Sequence, residues 1–204
     1  MTFTNFWRSW MLVVVFWLQA IAPSAQADEW QDASEVVVAT TDAMLSVLVE
    51  SRQQTLPDIM PSIANVLAPV VDYRAIAKGV MAKYYRRAEP EQFEAFIGVF
   101  QDSLVQAYTK ALVTFAIDSY SLQKNPGEDG RAGREKVWVK VYADNSVYDI
   151  HYTMSSKSGA WKVTNVVLDG VNLGLAFRNQ FATAMRQYGN NMDQVIDNWT
   201  TGTY

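Results

Sequence analysis

Lys136-Val-Trp-Val-Lys-Val-Tyr142 and Val147-Tyr-Asp-Ile-His-Tyr-Thr153 decide the fold of this chain. Both alternate apolar and polar side chains, the pattern of strands with one face buried. Asp144-Asn145 lies between them and suits a two-residue turn that needs positive φ. That turn places Val141 opposite Tyr148, Val139 opposite Ile150 and Val137 opposite Tyr152, all on one apolar face. The other face pairs Lys140 with Asp149 and Trp138 with His151. A slip of one residue would mix the faces, so the register is strongly specified.

Downstream, Ser155 to Ala160 is a loop and Trp161 to Leu168 a further strand. Asn165 breaks its alternation, falling on the phase of Trp161, Val163 and Val167, which requires a bulge or one polar group on the inner face. Asp169-Gly170 turns the chain into a helix over Leu173 to Tyr188, and a short helix over Met192 to Trp199 follows. Upstream, Ser119 to Lys124 reads as a strand and Asn125 to Gly133 as a charged, Gly-rich loop.

Before Phe115 the period is 3.6. Trp30, Val37, Thr41, Met44, Leu45 and Leu48 mark a first helix. Pro57 opens a second over Asp58 to Leu67, which Pro69 closes, and Asp72 caps a third over Tyr73 to Tyr85. The longest, about Glu91 to Phe115, carries a broad stripe through Phe93, Phe96, Ile97, Phe100, Leu104, Tyr108, Leu112 and Phe115. Helices, then an antiparallel meander, then helices is an α+β order, with the helices gathered on one face of a curved sheet. A cone-shaped, NTF2-like domain fits it.

Composition excludes several functions. The chain has 204 residues, half of them apolar, and a net charge of −4, which argues against nucleic acid as a partner. It has no Cys and one His, so thiol catalysis, disulfides and Cys- or His-rich metal sites are excluded. Arg8, the apolar run Trp10 to Leu18 and the small-residue ending Ala25-Gln26-Ala27 have the three parts of a secretory signal. The expectation is cleavage after Ala27, leaving residues 28–204 as one exported domain with 16 basic and 21 acidic residues. The apolar run is too short to span about 30 Å of hydrocarbon.

Catalytic groups are scarce. His151 shares the outer face with Asp149 and has no nucleophile elbow or phosphate loop beside it. Asp42, Asp72, Asp102, Asp118 and Asp169 have no metal-ligand spacing. No Asp and Tyr can be paired as the base and acid that some NTF2-like enzymes use. Asn198-Trp-Thr200 matches a glycosylation acceptor by chance. Arg74, Lys78, Lys83, Arg86 and Arg87 form the one basic concentration. It reads either as a solvated helix face or as a docking surface for an acidic partner or an anionic membrane surface. Trp199 and Tyr204 are open between packing and binding.

Two segments carry a resemblance. Val71-Asp-Tyr-Arg-Ala-Ile-Ala, continuing through Tyr85-Arg-Arg-Ala-Glu-Pro-Glu-Gln-Phe93 to Phe96, is similar to a D-[FY]-R-x-[IM]-A…[WY]-R-x-A-x-P-E-Q-x-x-x-F stretch. Trp161-Lys-Val-Thr-Asn-Val-Val-Leu-Asp-Gly-Val-Asn-Leu173, then Phe177-Arg-Asn-Gln-Phe181, resembles W-K-V-x-D-[VI]-x-x-[ED]-G-[VI]-S-L…[YF]-R-x-Q-F. These are the motifs of the MlaC family, periplasmic phospholipid carriers also called toluene-tolerance auxiliary proteins. The chain departs at Asn165, where an acid is usual, at Asn172, where Ser is usual, and at Phe177, where Tyr is usual; the apolar pattern is kept.

The resemblance implies a non-enzymatic periplasmic carrier of phospholipid. It would move lipid between an inner-membrane MCE/ABC transporter and an outer-membrane lipoprotein–porin complex, maintaining outer-membrane lipid asymmetry, with no metal or organic cofactor. On the register above, the acyl chains would lie against Val137, Val139, Val141, Tyr148, Ile150 and Tyr152 of the hairpin. The long helix would add Phe96, Phe100, Leu104, Leu112 and Phe115, and the C-terminal part Val163, Phe177 and Phe181. Two other classes stay open: an exported NTF2-like enzyme acting on an apolar substrate, and an interaction module whose core is filled.

Overall fold

The computed structural model describes residues 24–51, 53–115, 117–123, 131–143 and 145–199. The expected signal segment up to residue 23, Asp144, most of the Gly-rich loop, Thr200 and Tyr204 lie outside the described residues.

Five antiparallel strands form one open sheet in chain order: β1 (Ile117–Gln123), β2 (Arg134–Ala143), β3 (Ser146–Ser155), β4 (Lys162–Leu168) and β5 (Val171–Asn172). The β2–β3 register is the one the hairpin pattern dictates, from Val141 opposite Tyr148 to Val137 opposite Tyr152. Asn145 has φ 62° in the turn, and Lys140 Nζ meets Asp149 Oδ1 at 3.4 Å on the outer face. The irregularity in the fourth strand is a bulge. Thr153 faces Asn165 and Met154 faces Val163, so Thr164 is the extra residue. The bulge puts Val163, Val166 and Leu168 on the inner face with Met154, Tyr152 and Ile150. Asn165 and Val167 go to the outer face with Thr153 and His151.

Helix α1 (Ser24–Glu50) lies along β2, with Ala33 and Val37 buried against Val137, Val139 and Met154. Helix α2 (Leu56–Leu67) packs on α4 (Pro90–Thr114) through Ile59, Ile63 and Leu67 against Val105 and Leu112. Asp72 caps α3 (Tyr73–Met81) by accepting the Ala75 N–H at 2.9 Å. The third helix is shorter than its sequence suggests. Ala82 takes φ 49°, and a 3-10 segment, Ala82–Arg87, carries the chain on. The break lets Tyr84 bury its ring 5.9 Å from that of Phe181. Helices α5 (Leu173–Gln187) and α6 (Met192–Asp197) complete the helical layer. The result is the α+β, NTF2-like wedge the element order implies. Among the described residues no helix is long and apolar enough to cross a membrane.

Candidate functional site

The long helix α4 has more than one working face. Phe93, Phe96 and Phe100 are buried toward α3, α5 and α6, whereas Val105, Thr109 and Leu112 are buried toward α2. The buried row thus rotates by one position between 100 and 105. This leaves a second row, Leu104, Tyr108, Ala111 and Phe115, spaced i, i+4, i+7, i+11 and still partly accessible.

The helical layer reaches the sheet along two lines. One is α1 on β2; the other is α5, with α3, on β4. Between them the inner faces of β3 and β4 present Tyr148, Ile150, Tyr152, Val166 and Leu168, each half-buried. The row on α4 meets these residues at two points. Tyr108 and Tyr152 are hydrogen-bond partners through their hydroxyls, and the Phe115 ring lies 5.6 Å from that of Tyr148. Burial pushes the Tyr108 phenol up to about 12 and that of Tyr152 well above its ordinary value. Yet both rings keep accessible surface.

The residues named from the sequence divide into three groups. Phe96, Phe100 and Phe181 have no exposed surface and pack with Trp199 in an aromatic cluster. Phe96 contacts Phe181 at 4.9 Å and Trp199 at 5.1 Å between ring centres, both edge-on. Phe177 sits at the border of this cluster, 5.6 Å from Phe100. Val137 and Val139 lie in the seam beneath α1, with Val141 and Val163 half-buried beside them. Leu112 belongs to the α2 packing. Leu104, Phe115, Tyr148, Ile150 and Tyr152 form the partly open group. Sequence reasoning missed Val166 and Leu168, because the bulge that turns them inward depends on pairing with β3. It placed Tyr108 in the stripe without marking its contact to Tyr152.

The departures from the family motif are accommodated at the start of α5. The Asn165 Oδ1 accepts the Gly174 N–H at 3.2 Å. Asn172 Oδ1 accepts the Leu175 N–H at 3.0 Å and so caps α5, the work a Ser would do there. Phe177 keeps its ring in the core without needing a partner for a phenol.

A groove of about 450 Å³ lies on the opposite, outer face, lined by Trp138, His151, Lys140, Asp149, Gln123 and the Asp169-Gly170 turn. Its floor is the Trp138–His151 contact, 3.5 Å between ring centres. Ionised Lys140 and Asp149 make it unsuited to hydrocarbon, since burying charge beneath an acyl chain is costly. The inner face is the better candidate for an apolar ligand.

Groups that could serve an enzyme lie elsewhere. Tyr120 donates to Asp42 Oδ1 at 2.6 Å, an Asp–Tyr pair at the solvent-exposed join of α1 and β1. Burial, then the Asp42 bond, pushes that phenol up to about 12. Glu135 is a buried carboxyl, 2% exposed, with its pKa raised by burial and then by Glu29. It sits beneath α1, closed to any substrate. Among the described residues no three His, Cys, Asp or Glu side chains gather to hold a metal.

The basic residues of the α3 and 3-10 region, Arg74, Lys78, Lys83, Arg86 and Arg87, are all exposed. Arg74 is bound to Glu94 at 2.5 Å, which, with the attraction of that carboxylate, raises its pKa. Lys78 and Lys83 lie over the rings of Tyr85 and Tyr84, at 4.6 and 5.1 Å. Arg178, on α5, reaches the same helix by donating to Gly79 O at 3.1 Å.

Comparison with known proteins gives concordant results. Residues 38–201 match the family model described as MlaC protein. The chain is 38% identical over 174 residues to toluene tolerance protein Ttg2D of Pseudomonas putida, covering 83% of this chain and 80% of that one. A solved structure, the phospholipid-binding protein from Ralstonia solanacearum in complex with a phospholipid, superimposes with a TM-score of 0.72. It is 19% identical and covers 81% of this chain and 93% of its own, a likeness of fold.

Proposed function

This chain belongs to the MlaC family, and from that premise we propose that it is a soluble carrier that holds phospholipid by its acyl chains between α4 and the inner face of β3 and β4. The observation that carries this reading is the group of half-buried apolar side chains there. Leu104, Tyr108, Tyr148, Ile150 and Tyr152 are each half-buried, and the exposed Phe115 ring stands beside Tyr148. A core filled by its own side chains has no reason to leave such a surface.

The energetics fit. A diacyl lipid exposes roughly 30 methylene groups at ~0.8 kcal/mol each, so leaving a bilayer unaided costs on the order of 20 kcal/mol. A carrier must offset most of that with apolar surface, and little chemistry is needed besides. A wedge whose helical layer reaches the sheet along two lines can part between them. The aromatic cluster of Phe96, Phe100, Phe181 and Trp199 then serves as the rigid wall behind the site. The headgroup remains at the mouth, beside Phe115, so broad headgroup tolerance follows.

The family resemblance and the signal pattern support a periplasmic location after cleavage behind Ala27. They also support exchange with an inner-membrane MCE/ABC transporter and an outer-membrane lipoprotein–porin complex, in the service of lipid asymmetry. Arg86, Arg87, Lys78, Lys83 and Arg178 are the surface this reading offers to an acidic partner. The reading needs no metal or organic cofactor; phospholipid is cargo.

Extraction of the purified protein into organic solvent, followed by mass spectrometry, tests the central claim. Phospholipid at close to stoichiometric amount is the expected result. Protein that carries none, and takes up none from vesicles, would overturn it.

A further inference from the structure

Among the described residues, Ala82, Asn145, Asp169 and Asn190 are the non-glycine residues with positive φ. Asn and Asp tolerate that conformation, because their short polar side chains bond locally. Ala82 has no such side chain. Its φ 49° and ψ −118° are those of the first central position of a type II′ turn, where Gly is usual. An alanine held there stores backbone strain. The strain sits where α3 meets the 3-10 segment, inside a stretch whose sequence predicts one continuous helix from Tyr73 to Tyr85.

Contacts on both sides hold the turn in place. The buried Tyr84 ring lies 5.9 Å from that of Phe181, and the Tyr85 ring meets Phe93 edge-on at 4.9 Å. The helix end is secured from α5. The Ala82 N–H still donates to Lys78 O, and beyond it the backbone leaves the helical path. In a continued helix the next bond would run from the Lys83 N–H to Gly79 O. Here the Arg178 Nε–H donates to Gly79 O at 3.1 Å. The guanidinium thus serves a carbonyl at the point where the helix stops. A continued helix would bring its own donor to that oxygen, so the Arg178 bond favours the interrupted form. Arg178 follows Phe177, whose ring borders the aromatic wall.

We infer that Arg178 is a latch on a strained hinge at Ala82, and that an acidic group engaging Arg178 lets residues 82–87 join α3. In the latched form Ala82 is strained and Arg178 is bonded to Gly79 O. In the released form Ala82 takes helical dihedrals, and the Lys83 N–H replaces Arg178 at that carbonyl. A carboxylate bonds a guanidinium more strongly than a neutral carbonyl does, so it draws Arg178 away. Arg86 and Arg87, on the hinged segment itself, are exposed to meet further acids. Release changes length. The six residues of the segment rise about 12 Å as a 3-10 helix and about 9 Å as an α-helix. Ala88 and Glu89 alone separate the segment from α4, so release pulls on the start of the helix that lines the wedge. The acidic trigger rests on the docking reading above; the strained hinge does not.

Measurements on the purified, lipid-free protein test hinge, latch and trigger in turn. Ala82→Gly removes the strain, so its unfolding constant in denaturant should fall by about tenfold. A rise, the ordinary effect of Gly inside a helix, would overturn the hinge. Arg178→Met keeps the apolar stem and loses the donor. Its Cα chemical shifts from Ala82 to Tyr85 should move toward helical values. They should return in Arg178→Met/Ala82→Gly, where the interrupted form is no longer strained. Unmoved shifts in Arg178→Met would overturn the latch. Hexaglutamate at low salt is the acidic probe. It should move the same shifts in wild type and leave them in place in Ala82→Gly. Binding that leaves the wild-type shifts unmoved overturns the trigger alone, whereas no binding overturns the trigger and the docking reading together. Should Arg178→Met fail to fold, the hexaglutamate titration of wild type decides in its place. No arm reads lipid, so failure of the carrier reading leaves these outcomes unaffected.

Discussion

Tyr108 on α4 and Tyr152 on β3 join the helical layer to the middle of the sheet through their hydroxyls rather than by close packing of their backbones. Directly packed helices sit about 8–10 Å apart.

The pair is testable by a double-mutant cycle. Tyr108→Phe or Tyr152→Phe alone leaves the other hydroxyl buried without a partner and should cost about 1–3 kcal/mol in denaturant unfolding of lipid-free protein. The double variant should recover much of that loss. Additive losses would show that the hydroxyls do not interact in solution.

Alkali should act through the same rings. Their folded-state pKa values are raised, Tyr108 to about 12 and Tyr152 further, against an ordinary 10. Neutral buried phenols thus contribute stability that is complete below pH 10 and is lost as pH rises from there through 12. Phenolate absorbance should show Tyr108 and Tyr152 titrating late, in the company of Tyr73 and Tyr120 and together with unfolding. In Tyr108→Phe/Tyr152→Phe the unfolding should move to higher pH.

The seam and the wedge can be told apart by filling each. Val139 is 2% exposed beneath α1, so Val139→Trp should overpack and cost ~1–3 kcal/mol. Ile150 lies half-buried in the wedge, so Ile150→Trp should fold with near-normal stability and hold little phospholipid. Thermal melts with lipid content of both purified variants decide. Full lipid content in Ile150→Trp would place the acyl chains elsewhere.

Helix α5 depends on two asparagines and one glycine. A Cβ on Gly174 would collide with Asn165 Oδ1. Gly174→Ala should therefore cost about 1–3 kcal/mol, by strain and by loss of the hydrogen bond. Removing the obstacle in Asn165→Ala/Gly174→Ala should return part of it. Asn172→Ala should cost ~1 kcal/mol as a lost cap. Equilibrium unfolding measures all three.

Reversing Arg86 and Arg87 to Glu should weaken binding to an acidic membrane-complex partner, more so at low salt, and leave bound lipid unchanged. Arg74→Glu should do less, because Arg74 is already engaged by Glu94. Unaltered affinity for both membrane complexes at low salt would remove the docking role.

Much of this molecule follows from local chemistry. The β2–β3 register is legible because a two-residue turn and a period of two leave one pairing that keeps Val137, Val139 and Val141 on a single face. The Asp72 cap, the α5 start at Leu173 and the family motifs are likewise written in adjacent residues. The division of the apolar residues is not. Phe96 and Ile150 are equally hydrophobic in a sequence, and both burial against protein and contact with a ligand favour such side chains. Only the fold put Phe96 against Phe181 and Trp199 and left Ile150 half-open. The turning of Val166 and Leu168 required the bulge at Thr164, which exists through pairing with β3. Glu135 falls on the inner phase of β2, but its burial arises where α1 crosses the sheet, about a hundred residues away in the chain. Periodicity reports which face a residue shares; the distance between faces is set by elements remote in sequence, and that distance separates a core from a site.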